Sequence, residues 1–250
     1  KTGSLQPIPA QINAVADKAA ALARLQQTAP AQRRVAMLVY NYPLGEGNFG
    51  ASFLNVPKSL HNMLGALQQA GYQTTALAAE AITQQVQATM GAFYKPEAAQ
   101  ELLAQGLADS LPLADYLRWF RALPKGTQAR IEDYWGAPEQ STLLRASGGA
   151  QAQPAFIIPR LQLGNVVVMP QPLRQELTAA NTLAQRAKKI GHRSVVPLSH
   201  HYLATYLWIR SQLGAHAVVH VGTHGTLEWS PGKERGLSAQ DDPLLALGDV

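Results

Sequence analysis

Three side chains that can bind a divalent metal ion or transfer a proton recur at every fourth position of the segment AVVHVGTHGTLEWSPGK, residues 217–233. They are His220, His224 and Glu228. Imidazole nitrogens and carboxylate oxygens bind such ions at about 2.0–2.2 Å. An imidazole exchanges protons near neutral pH, and the pKa of a glutamate can be tuned towards that range. Positions four apart share one helix face, so His224 and Glu228 can converge on one ion or one substrate proton. The segment is therefore a candidate metal and proton-transfer site.

A structural interpretation competes with this chemical one. A histidine within an apolar strand is often a hydrogen-bonded core residue, and Glu228 could cap the following turn or pair with Lys233. Gly222 and Gly225 favour the functional interpretation, because glycine allows a close approach of the backbone that a plain core turn does not need. We therefore predict a functional site here.

A further pair of histidines, His200 and His201, stands at the start of the helix predicted for HHYLATYLWIRSQLGA. If this helix packs beside the strand that follows it, one of the two histidines reaches His220, and we take His201 as the third candidate metal ligand. The chain has no cysteine. Any metal must therefore be held by histidine, carboxylate or water.

A glycine-rich stretch, GEGNFG at residues 45–50, lies between a predicted strand and a predicted helix. It matches G-x-G-x-x-G, but four residues separate it from the strand, and no acidic residue follows about twenty positions on, as dinucleotide binding requires. The G-K-S/T of a P-loop is missing as well, so we expect no nucleotide binding. Two interpretations remain: a ligand-facing loop at the carboxyl end of a parallel strand, or a plain glycine-rich turn.

Apolar spacing predicts the elements that position these residues. Residues 12–27 and the segment from Pro57 to Gly71 have helical periodicity. The run from Val35 to Tyr40 is apolar throughout, as in a strand buried on both faces. Further strands are predicted for YQTTALA (72–78), AFIIP (155–159), NVVVMP (165–170) and HAVVHVG (216–222), and a further helix for residues 176–190.

The order strand, loop, helix, strand predicts an α/β fold with a mostly parallel, doubly wound (Rossmann-like) sheet. Strands 35–40 and 217–222 should be parallel members of one sheet. We predict three parts: an N-terminal helix and linker (1–30), an α/β lobe (31–170) with a helical insertion at about 80–135, and a second α/β part (171–250) with the His/Glu segment. The chain lacks an initiator Met and ends without a clear domain end, so we expect it to be a piece of a longer protein.

Composition restricts the possible partners. The 250 residues are 46% hydrophobic and 15% charged, which excludes a disordered chain. The formal charge of +5 suits an anionic small molecule, but the basic residues are scattered without interleaved aromatics, so we predict no nucleic-acid partner. No apolar run reaches the ~18 residues of a membrane span and no signal peptide is visible, so we predict no membrane partner.

At the His/Glu segment the sequence resembles a known family. HAVVHVGTHGTLEWSPGKERGLS looks like the histidine-rich signature, close to HxGxHGTLEWLPGK, of the large subunits of cobaltochelatase (CobN) and magnesium chelatase (the H subunit). HHYLATYLWIRSQLGAHAVVH, RRVAMLVYNYPLGEGNFGASFLNVPKSLHNMLGALQQAGY, YWG and FIIPRLQLGNVVVMPQPLR are similar to the family too. The resemblance spans roughly residues 33–250 and is closer to the cobaltochelatase type.

The resemblance implies a fragment of the tetrapyrrole- and metal-binding subunit of an ATP-dependent, cytoplasmic cobaltochelatase of cobalamin biosynthesis. Such an enzyme is a ligase that forms nitrogen–metal bonds and inserts divalent cobalt into a corrin-type macrocycle, only as part of a multi-subunit complex. Separate AAA+ ATPase subunits would use the ATP, which agrees with the missing P-loop. Magnesium and a porphyrin are the alternative metal and macrocycle.

If the chain takes part in metal insertion, that chemistry predicts roles for single residues, because two pyrrole protons must leave and the ion must lose water. Glu228 and His224 would act in catalysis, and His201, His220 and His224 would hold the metal. The candidate substrate-binding residues are Asn41, Gly45, Gly47, Asn48, Lys233 and Arg235. Tyr202, Tyr206 and Trp229 are candidate flat contacts, with core positions as the alternative. PQPLRQ lacks the glycine that the family usually has after the arginine, which keeps a non-catalytic tetrapyrrole-binding or carrier module open; a metal-dependent hydrolase is a further alternative.

Overall fold

The structure, a computed structural model, describes residues 4–40, 51, 53–95, 97–148, 152–174, 196–232 (for Trp229 the backbone only) and 236–250. Four strands form the sheet that carries the candidate site. In chain order they are β1 (Val35–Val39), β5 (Leu161–Leu163), β6 (Val166–Pro170) and β7 (Ala217–Val221). Their order across the sheet is β5-β6-β1-β7. β6, β1 and β7 are parallel, and β5 is antiparallel to β6.

The parallel pairing of β1 with β7 confirms the prediction that these two strands belong to one sheet. All residues of β1 and β6 are buried, as their continuous apolar runs predict. The alternation of strand residues between two faces explains how both sides are covered. Val35, Met37 and Val39 pack on one side, whereas Ala36 and Leu38 pack on the other.

Helices and a second sheet cover the two faces. α2 (Val56–Gln69) and α3 (Ala79–Gly91) pack with the first set of β1 residues through side chains such as Leu60, Leu64 and Val86. α7 (His200–Ser211) packs on the opposite face. Ser199 caps α7, because its hydroxyl accepts a hydrogen bond from the Tyr202 amide at 3.2 Å, as such residues do at helix starts.

The second sheet is antiparallel, in the order β2-β4-β3. Its strands are β2 (Ala108–Pro112), β3 (Leu144–Ala146) and β4 (Pro154–Pro159). The segment predicted as a helical insertion contains α3, α4 (Ala98–Ala104), α5 (Leu113–Arg121) and α6 (Lys125–Trp135). It also contains β2, which the sequence analysis did not expect. β2 forms because β4 offers it a partner strand, a long-range interaction that local periodicity does not show.

The strand predicted for YQTTALA is wrong, because residues 72–78 have no strand structure. Both edges of β1 are already paired, one with β6 and the other with β7. The Gln73 carbonyl instead accepts a hydrogen bond from the Asn165 amide at 2.7 Å, at the start of the β6 segment. With a mixed main sheet and an antiparallel second sheet the chain is α/β, and the predicted doubly wound arrangement is not confirmed.

The two ends of the described chain lie together. α1 (Pro9–Gln27) has no buried residue, and Arg24 on it forms an ion pair of 3.1 Å with Asp249, just after α8 (Asp242–Leu247). None of the helices in the described ranges is long and apolar enough to cross a membrane. The predicted division at residues 30 and 170 stays a prediction, although β7 from the third part pairs with β1 from the second.

Candidate functional site

The three parallel strands end side by side. Val39 at the end of β1 is in register with Pro170 of β6 and with Val221 of β7. Gln171, Tyr40 and Gly222 follow these residues directly in the sequence, so they lie at one edge of the sheet. This carboxyl edge is where parallel sheets of α/β proteins bind ligands.

His220 lies one residue before the end of β7 and faces α7. It is in register with Leu38, whose side chain packs with α7. Its Nε2 atom is 2.7 Å from the Tyr206 hydroxyl, and its ring centroid is 6.2 Å from that of Tyr206. The residue is exposed as a whole, but partial burial of its imidazole lowers its pKa, since the charged form loses solvation.

The turn after β7 passes close to its neighbours, as the glycines predict. A Cβ atom at Gly222 would lie 3.1 Å from the His224 carbonyl oxygen and 3.4 Å from the Tyr40 Cβ. A Cβ atom at Gly225 would lie 3.3 Å from Gln171 Oε1. The turn is also tied to the end of the glycine-rich stretch, because the Thr223 hydroxyl donates to the Ala51 carbonyl at 2.8 Å.

His224 and Glu228 form a pair on the surface of this turn. Their side chains are 57% and 48% exposed, and His224 Nδ1 is 2.8 Å from Glu228 Oε1. A carboxylate oxygen only accepts, so Nδ1 carries the hydrogen and donates it. In the neutral ring the lone pair is then on Nε2, the nitrogen that can take up a proton or bind a metal ion.

A short 3₁₀-helix, Thr226–Trp229, holds the pair outward by burying the residues between them. Thr226 and Leu227 are buried. The Thr226 amide donates to Gln171 Oε1 at 3.0 Å, and its hydroxyl is 2.8 Å from the Tyr202 hydroxyl. The backbone that joins His224 to Glu228 is therefore fixed to the end of β6 and to α7.

No sequence pattern indicated the polar cluster beneath this turn, which consists of Gln171, Tyr202, Tyr206 and Thr226. Gln171 Nε2 is 3.2 Å from both tyrosine hydroxyls, whose rings stack with centroids 5.2 Å apart. Both tyrosines are core residues, which was the alternative to a flat ligand contact. In the sequence, Gln171 is distinguished only as a polar residue directly after the apolar run VVVMP.

The structure does not bring His200 or His201 to this site, which corrects the prediction for the third ligand. His201 Nε2 is 2.9 Å from the Ile157 carbonyl on β4, and its ring packs against Phe93 and Phe156. Burial lowers the pKa of His201 to about 4. His200 is fully buried, with contacts of 2.9 Å to the Tyr116 hydroxyl and the Gly136 carbonyl.

The reason is the direction of the first turn of α7. Its histidines point to the second sheet and the insertion, whereas Tyr202 and Tyr206 point to the carboxyl edge of the main sheet. Among the residues that the structure describes, no three His, Asp or Glu side chains are grouped so as to hold a metal ion. His220, His224 and His201 are thus not assembled into one site.

The remaining candidates fall outside the described residues. These are Asn41, Gly45, Gly47, Asn48, Lys233, Arg235 and the side chain of Trp229. Tyr40 and Ala51, the described residues on either side of residues 41–50, both lie beside Gly222 at the carboxyl edge.

Arg174, three residues after Gln171, is a buried cation near the same edge. Burial lowers its pKa, and interactions with Tyr202, Tyr40 and Asp242 act in the opposite direction. Both oxygens of Asp242 already accept from other groups, one from the Arg130 guanidinium and one from the Leu198 amide. The guanidinium of Arg174 thus adds positive charge beneath the site.

The fold thus presents an exposed His–Glu pair at the carboxyl edge of a mixed α/β sheet. The model of the CobN/magnesium chelatase family matches residues 1–250, and the chain belongs to that family.

Individual relatives agree with this assignment. The chain is 33% identical over 238 residues to the aerobic cobaltochelatase subunit CobN of Pseudomonas aeruginosa. The aligned region covers 94% of this chain and 18% of that protein. It is 29% identical over 250 residues to the magnesium-chelatase H subunit of Cereibacter sphaeroides, which covers 98% of this chain and 18% of that protein.

A solved structure has the same fold. It is the catalytic subunit of cobaltochelatase from Mycobacterium tuberculosis, with a TM-score of 0.74 and 32% sequence identity. The similarity covers 98% of this chain and 19% of that one. The chain therefore spans about a fifth of the length of the relatives that it matches.

Proposed function

We propose that this chain is part of the large subunit of a cobaltochelatase, which binds a corrin-type tetrapyrrole and inserts divalent cobalt. The observation that carries the proposal is the exposed His224–Glu228 pair at the carboxyl edge of the sheet, in a chain of the CobN/magnesium chelatase family. Cobalt is preferred to magnesium because the identity to the cobaltochelatase subunit of Pseudomonas aeruginosa, 33%, exceeds that to the H subunits, at 24–29%.

The chemistry of insertion explains what the pair would do. Two pyrrole protons must leave the macrocycle, and the incoming ion must exchange its water ligands for pyrrole nitrogens. The Nε2 atom of His224 can accept a proton, and Nδ1 of the same ring donates to Glu228. The carboxylate would therefore stabilise the imidazolium that forms when His224 takes a proton. Glu228 can also accept a proton or hold the ion directly, since its second oxygen remains for that role.

The rest of the proposal comes from the family resemblance. AAA+ partner subunits would supply ATP hydrolysis, and the enzyme would act in the cytoplasm. Asn41, Gly45, Gly47, Asn48, Lys233 and Arg235 would contact the macrocycle, the last two through its peripheral carboxylates. Magnesium with a porphyrin remains the alternative metal and substrate, and the assignment of His220 to the metal stays a prediction of the sequence.

The test is metal insertion by the full-length subunit reconstituted with its ATPase partners, with substitutions at His224 and Glu228. We expect His224→Ala and Glu228→Gln each to lower the insertion rate by ~10²-fold or more, the scale for loss of a positioned acid–base group. The free energy of unfolding should change by less than ~0.5 kcal/mol, because both side chains are exposed.

Glu139→Gln is the matched control. Glu139 is also exposed, also lies on a 3₁₀-helix and also pairs with a basic side chain, that of Arg121, at 3.1 Å. Because Glu139 is not part of the candidate site, its substitution should leave insertion unchanged. If His224→Ala or Glu228→Gln melts the protein while the folded fraction inserts metal normally, the pair is structural. Tetrapyrrole binding without any insertion by the wild type would indicate the carrier module, and hydrolysis without tetrapyrrole binding the hydrolase.

A further inference from the structure

Gln171 occupies the centre of the polar cluster beneath the site, and the direction of its amide is fixed. The side chain is only 2% exposed. Its Oε1 atom accepts from the Thr226 amide at 3.0 Å. A backbone N–H can only donate, so the oxygen must be on that side and the NH₂ group on the other. Both N–H groups of Gln171 then point to the hydroxyls of Tyr202 and Tyr206, each 3.2 Å away.

The orientation of the Gln171 amide also fixes the direction in which the two tyrosine hydroxyls donate. A hydroxyl that accepts from Gln171 still has one hydrogen to donate. For Tyr202 the acceptor is the Thr226 hydroxyl at 2.8 Å. For Tyr206 it is His220 Nε2 at 2.7 Å, a distance typical of a strong O–H donor bond. His220 Nε2 is then an acceptor, and the hydrogen of the neutral ring lies on Nδ1.

We propose that Gln171 is a positioning residue that acts through Tyr206 to hold His220 as the neutral Nδ1–H tautomer. His220 therefore offers the carboxyl edge a hydrogen-bond donor, suited to a carboxylate or carbonyl of the ligand. Its Nε2 lone pair is engaged by Tyr206 and is not offered to a metal ion, so this proposal replaces the metal-binding role that the sequence predicts for His220. Among the described residues, Nδ1 has no partner, and His220 is exposed at this edge.

The same glutamine also orients the His224–Glu228 turn. Gln171 Oε1 holds the Thr226 amide, and a Cβ atom at Gly225 would already lie within 3.3 Å of that oxygen. One buried amide thus sets both the proton on His220 and the path of the backbone that presents His224. Any effect of Gln171 on metal insertion rests on the proposed function, whereas the tautomer of His220 does not.

The tautomer can be measured directly by two-bond ¹H–¹⁵N NMR of the histidine rings in the 250-residue chain at neutral pH. In the wild type we expect Nδ1 of His220 to carry the hydrogen. Tyr206→Phe removes the donor and should convert His220 to the Nε2–H form, the more common one in water. Gln171→Glu keeps an acceptor for Thr226 but turns the tyrosine hydroxyls towards its carboxylate, so it should cause the same conversion.

Tyr202→Phe is the matched control, because Tyr202 lies on the same helix, stacks on Tyr206 and bonds Gln171 without contacting His220. This substitution should leave the Nδ1–H form of His220 in place, whereas a general loosening of the core would change it. The inference is overturned if wild-type His220 carries its hydrogen on Nε2, as it would if Tyr206 donated to Tyr202 instead. It is also overturned if Zn²⁺, used as a probe metal, binds His220 Nε2, or if Tyr206→Phe folds and leaves the tautomer unchanged.

In the reconstituted full-length subunit, Tyr206→Phe should lower the insertion rate by ~10²-fold, the lower end of the effect of removing one positioned hydrogen-bond donor at an active site. A wild-type subunit that shows the Nδ1–H form but inserts no metal contradicts the proposed function and leaves the assignment of Gln171 intact. A wild-type Nε2–H form with normal insertion contradicts the assignment and leaves the function intact.

Discussion

At the scale of single residues, the candidate site depends on the absence of a side chain at Gly222 as well as on the side chains of His224 and Glu228. The backbone at Gly222 approaches the His224 carbonyl and Tyr40 so closely that a Cβ atom would have its nearest neighbour at 3.1 Å. That neighbour is a backbone oxygen, which cannot rotate away as a flexible side chain would. The position of His224, and with it the His224–Glu228 contact, is therefore coupled to the absence of a Cβ atom at residue 222.

Gly222→Ala should displace the His224 carbonyl by a few tenths of an ångström and lower metal insertion by ~10-fold, since misplacements of about 1 Å cost about 10²-fold. Gly65→Ala is the control, because Gly65 lies in α2 with no atom within 4 Å of an added Cβ. That substitution should raise stability by ~0.5–1 kcal/mol without changing the rate. Normal insertion by a folded Gly222→Ala subunit would show that the turn tolerates the shift.

At the scale of elements, α7 separates two environments. One side of the helix directs Tyr202 and Tyr206 to the carboxyl edge of the main sheet. The other directs His201 to β4, where its imidazole is buried and hydrogen-bonded to Ile157. His201 belongs to the packing between the two sheets, and its ionisation acts on stability.

The pH dependence of unfolding tests this role. Burial lowers the pKa of His201 from 6.5 to about 4 in the folded chain, so the unfolded state binds more protons between these two values. The neutral histidine makes its full contribution to the free energy of unfolding above pH 6.5. This contribution is lost as pH falls to about 4, with a slope of up to ~1.4 kcal/mol per pH unit. Denaturant titrations across this range measure it.

His201→Gln removes the titrating group and keeps an N–H that can donate to the Ile157 carbonyl. The difference in the free energy of unfolding between wild type and His201→Gln should therefore shift by ~2–3 kcal/mol between pH 7 and pH 4. A difference that is constant with pH would mean that the imidazole of His201 is reached by water in the folded state.

At the scale of the whole molecule, one buried carboxylate joins segments that lie far apart in the sequence. Asp242, at the start of α8, is 1% exposed. It accepts from the Arg130 guanidinium on α6 and from the Leu198 amide before α7, the latter at 2.9 Å. The insertion, the helix that carries the tyrosines and the last helix are therefore fixed to one another.

Asp242→Asn should lower the free energy of unfolding by ~2–4 kcal/mol, because it leaves a partly buried guanidinium without its anion and points an NH₂ group at a donor. Asp249→Asn breaks the exposed ion pair with Arg24 and should cost less than ~1 kcal/mol. Chemical denaturation of the two variants gives the comparison. Equal and small losses would show that Asp242 does not hold these segments together.

Local patterns in the sequence were enough to predict several elements and the geometry of the turn. Continuous apolar runs predicted β1 and β6, and helical periodicity predicted α1 and α2, because hydrophobic spacing acts over a few residues. The glycines of the turn predicted its close approach to the neighbouring backbone. The four-residue spacing of His224 and Glu228 predicted their contact. The motif letters also predicted the family.

Which distant residues meet depends instead on the fold of the whole chain. YQTTALA is not a strand because β6 and β7 occupy both edges of β1, and β2 exists because β4 pairs with it. His201 lies away from the site because the first turn of α7 faces the second sheet. Gln171 lies at the site because β6 ends beside β1 and β7. Strand pairing and helix rotation are set by burial summed over the whole core, so no local pattern records them.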